Sequence, residues 1–212
     1  MYELEQIIIL KRFPLHGRKL SVLGSFSGKV FAYAADDALF KKMAPGTVMM
    51  GFLDISPQFN GATIKKAELI SSHTRMDSDG FVWLSRMLEV VYFFLPAGAV
   101  CNQVFMCLER SIFFVGTLHY QEFLQLIRAA LQIELLSLLG FYPPRRLLPL
   151  LVCAQALPES FIDSPNEAQV EFLQIAVVRC ALLCSMVEKW TTTCLSTHPR
   201  FSSFRALWYE ST

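Results

Sequence analysis

Cationic and flat aromatic side chains interleave through the first 70 residues in a pattern that suits phosphates and bases. Lys11, Arg12, Phe13, Arg18 and Lys19 come first, then Lys29, Phe31 and Tyr33, then Lys41 and Lys42, and finally Phe59, Lys65 and Lys66. Binding of single-stranded nucleic acid needs both kinds of group: cations along the backbone path, and rings on which unpaired bases stack. The ordinary alternative is that the lysines are solvated surface and the rings fill a core. For most of Phe13, Phe31, Tyr33 and Phe59 the core is the expectation. Strand alternation puts Lys65 and Lys66 on opposite faces, so at most one of them can face a groove.

The cysteines offer little by comparison. Cys180 and Cys184 are four apart, as are Cys194 and His198, so a Cys3His zinc set can be drawn. Cys180 and Cys184 lie in the apolar run from Ile175 to Cys184, however, where cysteine acts as a small hydrophobe, and no metal site is expected. His16, His73, His119 and His198 fall in expected loops or linkers, and no spacing ties one to a thiol. A P-loop, GxGxxG and HExxH are all missing. The sequence therefore predicts no cofactor and no covalent chemistry, and a thiol or metal enzyme would rest on the cysteines alone.

Composition sets the frame for these groups. With 212 residues, 53% hydrophobic and 17% charged, the chain can bury a substantial core. Mean hydropathy is +0.40, yet Pro96, Arg128, Glu134 and Arg179 break the apolar runs before any reaches the length of a spanning helix. Thiols placed in apolar stretches, and a first segment without a secretory pattern, predict a cytoplasmic protein. The 19 Lys and Arg against 18 Asp and Glu give a net charge of +1, so any affinity for nucleic acid must come from local clustering.

Two kinds of element would position the groups. Glu5 to Phe13, Leu20 to Phe26, Val30 to Ala34, Thr47 to Ile55 and Ala62 to Leu69 read as five short strands, separated by Ser27-Gly28-Lys29, Pro45-Gly46 and the Asn60-Gly61 hairpin signal. A closed antiparallel barrel would remove the exposed edges of such strands, and the count suits an OB fold. From Asp79, an expected N-cap, the period becomes helical. Helices are predicted to end near Leu95, Gly116 and Gly140, Pro143 to Asn166 breaks into short pieces, and Glu167 to Trp190 forms a further helix. The expectation is an α+β protein, with an OB-type barrel over 1–78 and an all-α domain over 79–212.

Three segments in order carry a family resemblance. The run Gln125-Leu126-Ile127-Arg128 through Leu139-Gly140-Phe141-Tyr142-Pro143 resembles the leucine-rich, glycine-ended helix of the bacterial RecO recombination mediators. Leu95-Pro96-Ala97-Gly98 through Phe105 is similar to that family's link between helices, and Ile8 through Leu20 with Phe26-Ser27-Gly28-Lys29-Val30 to its first hairpins. The resemblance covers roughly residues 5–145. It implies a non-enzymatic DNA repair protein that binds single- and double-stranded DNA, anneals strands, works with RecR and helps load recombinase on DNA coated by single-strand-binding protein.

On that reading the DNA-contacting residues are Arg12, Arg18, Lys19, Lys29, Lys41, Lys42 and Lys65. Arg128, Gln132, Arg145 and Arg146 would meet protein partners, including the acidic tail of single-strand-binding protein. For Arg145 and Arg146 the alternative is complementing the dipole of the preceding helix. The chain departs from the family at the acidic run Ala34-Ala35-Asp36-Asp37-Ala38, at Ala129-Ala130 where a basic pair is common, and in having no CxxC motif. These departures support a second expectation, a diverged adaptor that keeps its protein partners with little DNA affinity.

Overall fold

The structure is a computed structural model that describes residues 2–56, 61–72, 78–117, 121–151 and 180–197. Its architecture is α+β, a closed five-strand barrel followed by helices. The strands are β1 (Tyr2–Phe13), β2 (Lys19–Gly24), β3 (Gly28–Ala34), β4 (Val48–Ser56) and β5 (Gly61–Ser71), in the order β1-β2-β3-β5-β4. All neighbours pair antiparallel except β3 and β5, which are parallel with Ala32 opposite Ala62. The expectation of a wholly antiparallel barrel is corrected here, and parity is the reason. Directions that alternate around a closed ring of five strands must repeat once.

The barrel interior is aliphatic. Ile7, Ile9, Leu20, Val22, Ala32, Met49, Leu53 and Ile64 form its core, and Leu39 and Met43 belong to the same cluster. Leu39 lies on α1 (Asp37–Lys42), a helix that begins within the acidic run Ala34 to Ala38. Asp36 is its N-cap, with a carboxylate oxygen accepting from Leu39 N at 2.7 Å. The two aspartates therefore start a helix that carries Leu39 to the core.

By compactness the chain divides into Met1–Gly116 and Thr117–Thr212. The first unit holds the barrel with α2 (Ser78–Phe94) and α3 (Asn102–Thr117). Asp79, expected as the cap of α2, lies within its first turn, where a negative charge still favours the dipole. The second unit holds α4 (Gln121–Leu138), a 3-10 turn at Arg145–Leu147 and α5 (Cys180–Leu195). Gly140 ends α4 as expected. Phe141 N donates to Leu136 O and Gly140 N to Ser137 O, both at 3.0 Å, the bond pattern of a Schellman cap. Phe59-Asn60, His73, His119, His198, most of Pro143 to Asn166 and the first part of the helix expected from Glu167 lie outside the described residues.

Among the described residues no helix is long and apolar enough to cross a membrane. None of them form a group of three or more His, Cys, Asp or Glu able to hold a metal ion. Cys107 and Cys194 are buried free thiols, and burial pushes the Cys194 thiol up to about 11.

Candidate nucleic-acid interface

The outer surface of β1, β2 and β3 is half covered and half open, and strand register shows where the change falls. Ile8, Leu23 and Lys29 form one outward row across the three strands, and all are buried. A β-bulge between Ile9 and Lys11 then resets the phase of β1. The next outward rows run Lys11, Ser21, Phe31 and Phe13, Lys19, Tyr33. Lys11, Phe13, Lys19 and Phe31 are only half-buried, and Tyr33 is 47% exposed.

These open rows form a connected set of rings and cations. Phe13 lies 6.0 Å from Phe31 and 6.1 Å from Tyr92 of α2, centroid to centroid. The Lys19 ammonium sits 5.0 Å from the Phe31 centroid and 5.6 Å from that of Phe13. Lys11 sits 4.8 Å from Tyr92 and also acts on Glu89, whose carboxyl is raised by burial and drawn back down by that lysine. Cations above rings gain from the ring quadrupole, and an ammonium on a flexible stem can move to a phosphate when a base takes the ring face. Phe13, Phe31 and Tyr33 are thus on the outside, contrary to the expectation that they fill the core.

The remaining predicted residues sort by environment. Arg12 belongs to the inward phase at the barrel end, its guanidinium 4.0 Å from the Phe40 centroid. Arg18 is exposed, donates to Ala35 O and lies 3.8 Å from the Asp37 carboxylate. Lys41 and Lys42 are exposed in the last turn of α1. Lys65 pairs with Asp54 at 3.1 Å. Lys65 and Lys66 are both exposed, although alternation predicted opposite faces. The β4–β5 register shifts between Gly51 and Leu53, and the extra residue on β5 breaks the alternation at this pair.

Lys29 is the clearest correction. It is 6% exposed, and its ammonium donates to Tyr92 O and Leu95 O at the end of α2 while lying 5.0 Å from the Tyr92 centroid. Those carbonyls belong to a helix C-terminus that would otherwise lack donors. The side chain is therefore spent on fastening α2 to the barrel and does not present its charge to a phosphate. Burial lowers its pKa from 10.5 to about 8. Between those values the unfolded chain keeps a proton that the folded chain has released, so this group makes stability rise with pH across the window. Lys29→Met is expected to remove that rise, measurable by urea unfolding of both proteins from about pH 8 to 10.5.

In the second unit Gln132 is likewise buried, 3% exposed, with Nε2 donating to Thr191 Oγ1 of α5 at 2.6 Å. It joins two helices and is closed to a partner protein, which corrects its expected role. Arg128 is half-buried on α4, whereas Arg145 and Arg146 are exposed on their 3-10 turn beside the open ring of Tyr142. Ala129 and Ala130 are buried, so a basic pair there would have to enter the packed side of α4.

Sequence reasoning missed Tyr92 as part of the aromatic set. The available signal was the run Tyr92-Phe93-Phe94, three consecutive aromatic rings at the end of a helix. No family model matches the chain, and no curated protein is recognisably similar to it, so its chemistry is read from this surface itself.

Proposed function

We propose that the chain is a RecO-like recombination mediator, whose barrel is of OB type and holds single-stranded DNA on the outer face of β1, β2 and β3. The observation that carries this reading is the interleaving of Phe13, Phe31 and Tyr33 with Lys11 and Lys19 on one open face. Stacking platforms flanked by cations suit unpaired bases and phosphates together. Strand order β1-β2-β3-β5-β4, with α1 between β3 and β4, supports the OB assignment, and in that fold the face of strands 2 and 3 is the usual ligand side. Annealing, work with RecR, contact with single-strand-binding protein and recombinase loading follow from the family resemblance. Arg145 and Arg146 are the exposed cations of the second unit best placed for an acidic tail. No bond is made or broken, and the protein acts by holding strands.

The test is an anisotropy titration with a labelled single-stranded oligonucleotide at rising salt. Binding is expected at low salt, with affinity falling linearly on a log–log plot. No binding at low salt would exclude the proposal. A protein adaptor is the second reading, favoured by the pairing of Arg18 with Asp37 and Lys65 with Asp54, which draws two cations away from phosphate. Capture of purified RecR without oligonucleotide binding would select the adaptor.

A further inference from the structure

Among the described residues, Leu15 is the aliphatic side chain most open to solvent, 95% exposed at the tip of the β1–β2 connection. An isolated exposed leucine is ordinary on a protein surface, but three observations set this one apart. First, its turn is braced. Pro14 opens a 3-10 turn over Pro14–His16, Ala34 N donates to Arg18 O at 3.1 Å, and the Arg18 side chain is held by Ala35 O and Asp37. Second, the turn grows out of the ring-and-cation face, because Phe13 and Lys19 at its two feet are cross-strand partners. Third, His16, Gly17 and Arg18, which follow it, are exposed and carry no aliphatic side chain, so Leu15 is the one aliphatic group over 15–18.

Resting on the nucleic-acid reading above, we infer that Leu15 is a wedge that opens the last base pair where a duplex meets a single strand. The unpaired strand would lie across Phe13 and Phe31, with Lys19 on its phosphates. A wedge must be apolar, so that it substitutes for the stacking it interrupts, and it must be rigidly backed so that the bases yield before the loop does. Leu15 is apolar and its turn is tied at Arg18 to Ala34, Ala35 and Asp37, and a fully single-stranded ligand gives it nothing to open.

The test uses the full chain and a partial-duplex oligonucleotide carrying 2-aminopurine, a base whose emission rises on unstacking, at the first paired position. A fully single-stranded oligonucleotide of equal length is the reference. The wild-type chain is expected to raise the emission about 3-fold and to prefer the junction by roughly 5-fold. Leu15→Ser loses both effects while its single-strand affinity stays within about 2-fold, and Leu15→Met keeps both. An emission rise or junction preference that survives Leu15→Ser overturns the wedge. Binding of both oligonucleotides by the wild type without an emission rise also overturns it and leaves the nucleic-acid reading intact. Absence of binding to either oligonucleotide overturns that reading and the wedge with it.

Discussion

A Phe31→Ala, Lys19→Glu double variant is expected to bind single-stranded DNA about 100-fold more weakly than the wild-type chain, with its fold intact. Loss of one stacking ring costs roughly 1–3 kcal/mol per base. Reversal of one phosphate-facing charge removes a further contact and adds repulsion. Each single variant identifies its own part of the effect. Phe31→Ala should lower affinity by about 10-fold at any salt concentration, leaving the salt slope alone. Lys19→Glu should make the slope shallower by about 0.7, the value for one phosphate of a single strand. The Lys19 ammonium lies 5.0 Å from the Phe31 centroid, so the two effects are expected to couple. Both side chains stand on the outer face, away from the aliphatic core, and thermal melts by circular dichroism should show little change. A double variant that binds as well as the wild type would move the DNA site elsewhere.

Gly28→Ala is expected to cost about 3 kcal/mol or more of stability, a fall in Tm of roughly 10–20 °C for a unit of this size. Gly28 has φ of 70°, and a Cβ there would lie 2.3 Å from Ala99 O and 2.7 Å from Ala99 C. Both atoms are backbone, held by a reciprocal clasp in which Lys29 N donates to Ala99 O at 3.1 Å and Gly98 N to Lys29 O at 2.7 Å. Relief of the clash would require opening the clasp, and with it the seat of Lys29 against the end of α2. Gly98→Ala is the control. Its φ is 80°, but no atom lies within 4 Å of the added carbon, so only the strain of about 1 kcal/mol applies. Equal melting temperatures for the two variants would show that the close approach at Gly28 is not rigid.

The two kinds of residue at this face differ in how readable they are. The strands are legible because each is bounded by turn chemistry acting over two or three residues, as at Ser27-Gly28-Lys29, and the end of α4 at Gly140 is fixed by the same local signals. The helix at the acidic run went unread because Asp36 caps only six helical residues, too few to show a period. Phe13, Phe31 and Tyr33 belong to strands that are apolar on both faces, since α2 covers part of the outside, and alternation cannot then tell inside from outside. The bulge after Ile9 shifts the phase as well. Lys29 beside a turn glycine looks like surface, and its acceptors Tyr92 and Leu95 lie 63 and 66 positions later in the chain. Gln132 meets Thr191 at a similar separation, 59 positions. Local pattern identifies which elements form, whereas these side chains take their roles from elements the chain supplies much later.

The clasp between Lys29 and the Gly98–Ala99 segment also imposes an order on synthesis. About 70 residues separate its two sides, and at roughly 5–20 residues per second the ribosome takes several seconds to deliver the second after the first. Through that interval the start of β3 has its hairpin partner but neither the clasp nor the carbonyls that receive Lys29. The nascent barrel therefore waits, incompletely fastened, for the end of α2 and the residues after it to emerge, and closure of this long loop ties β3 to them.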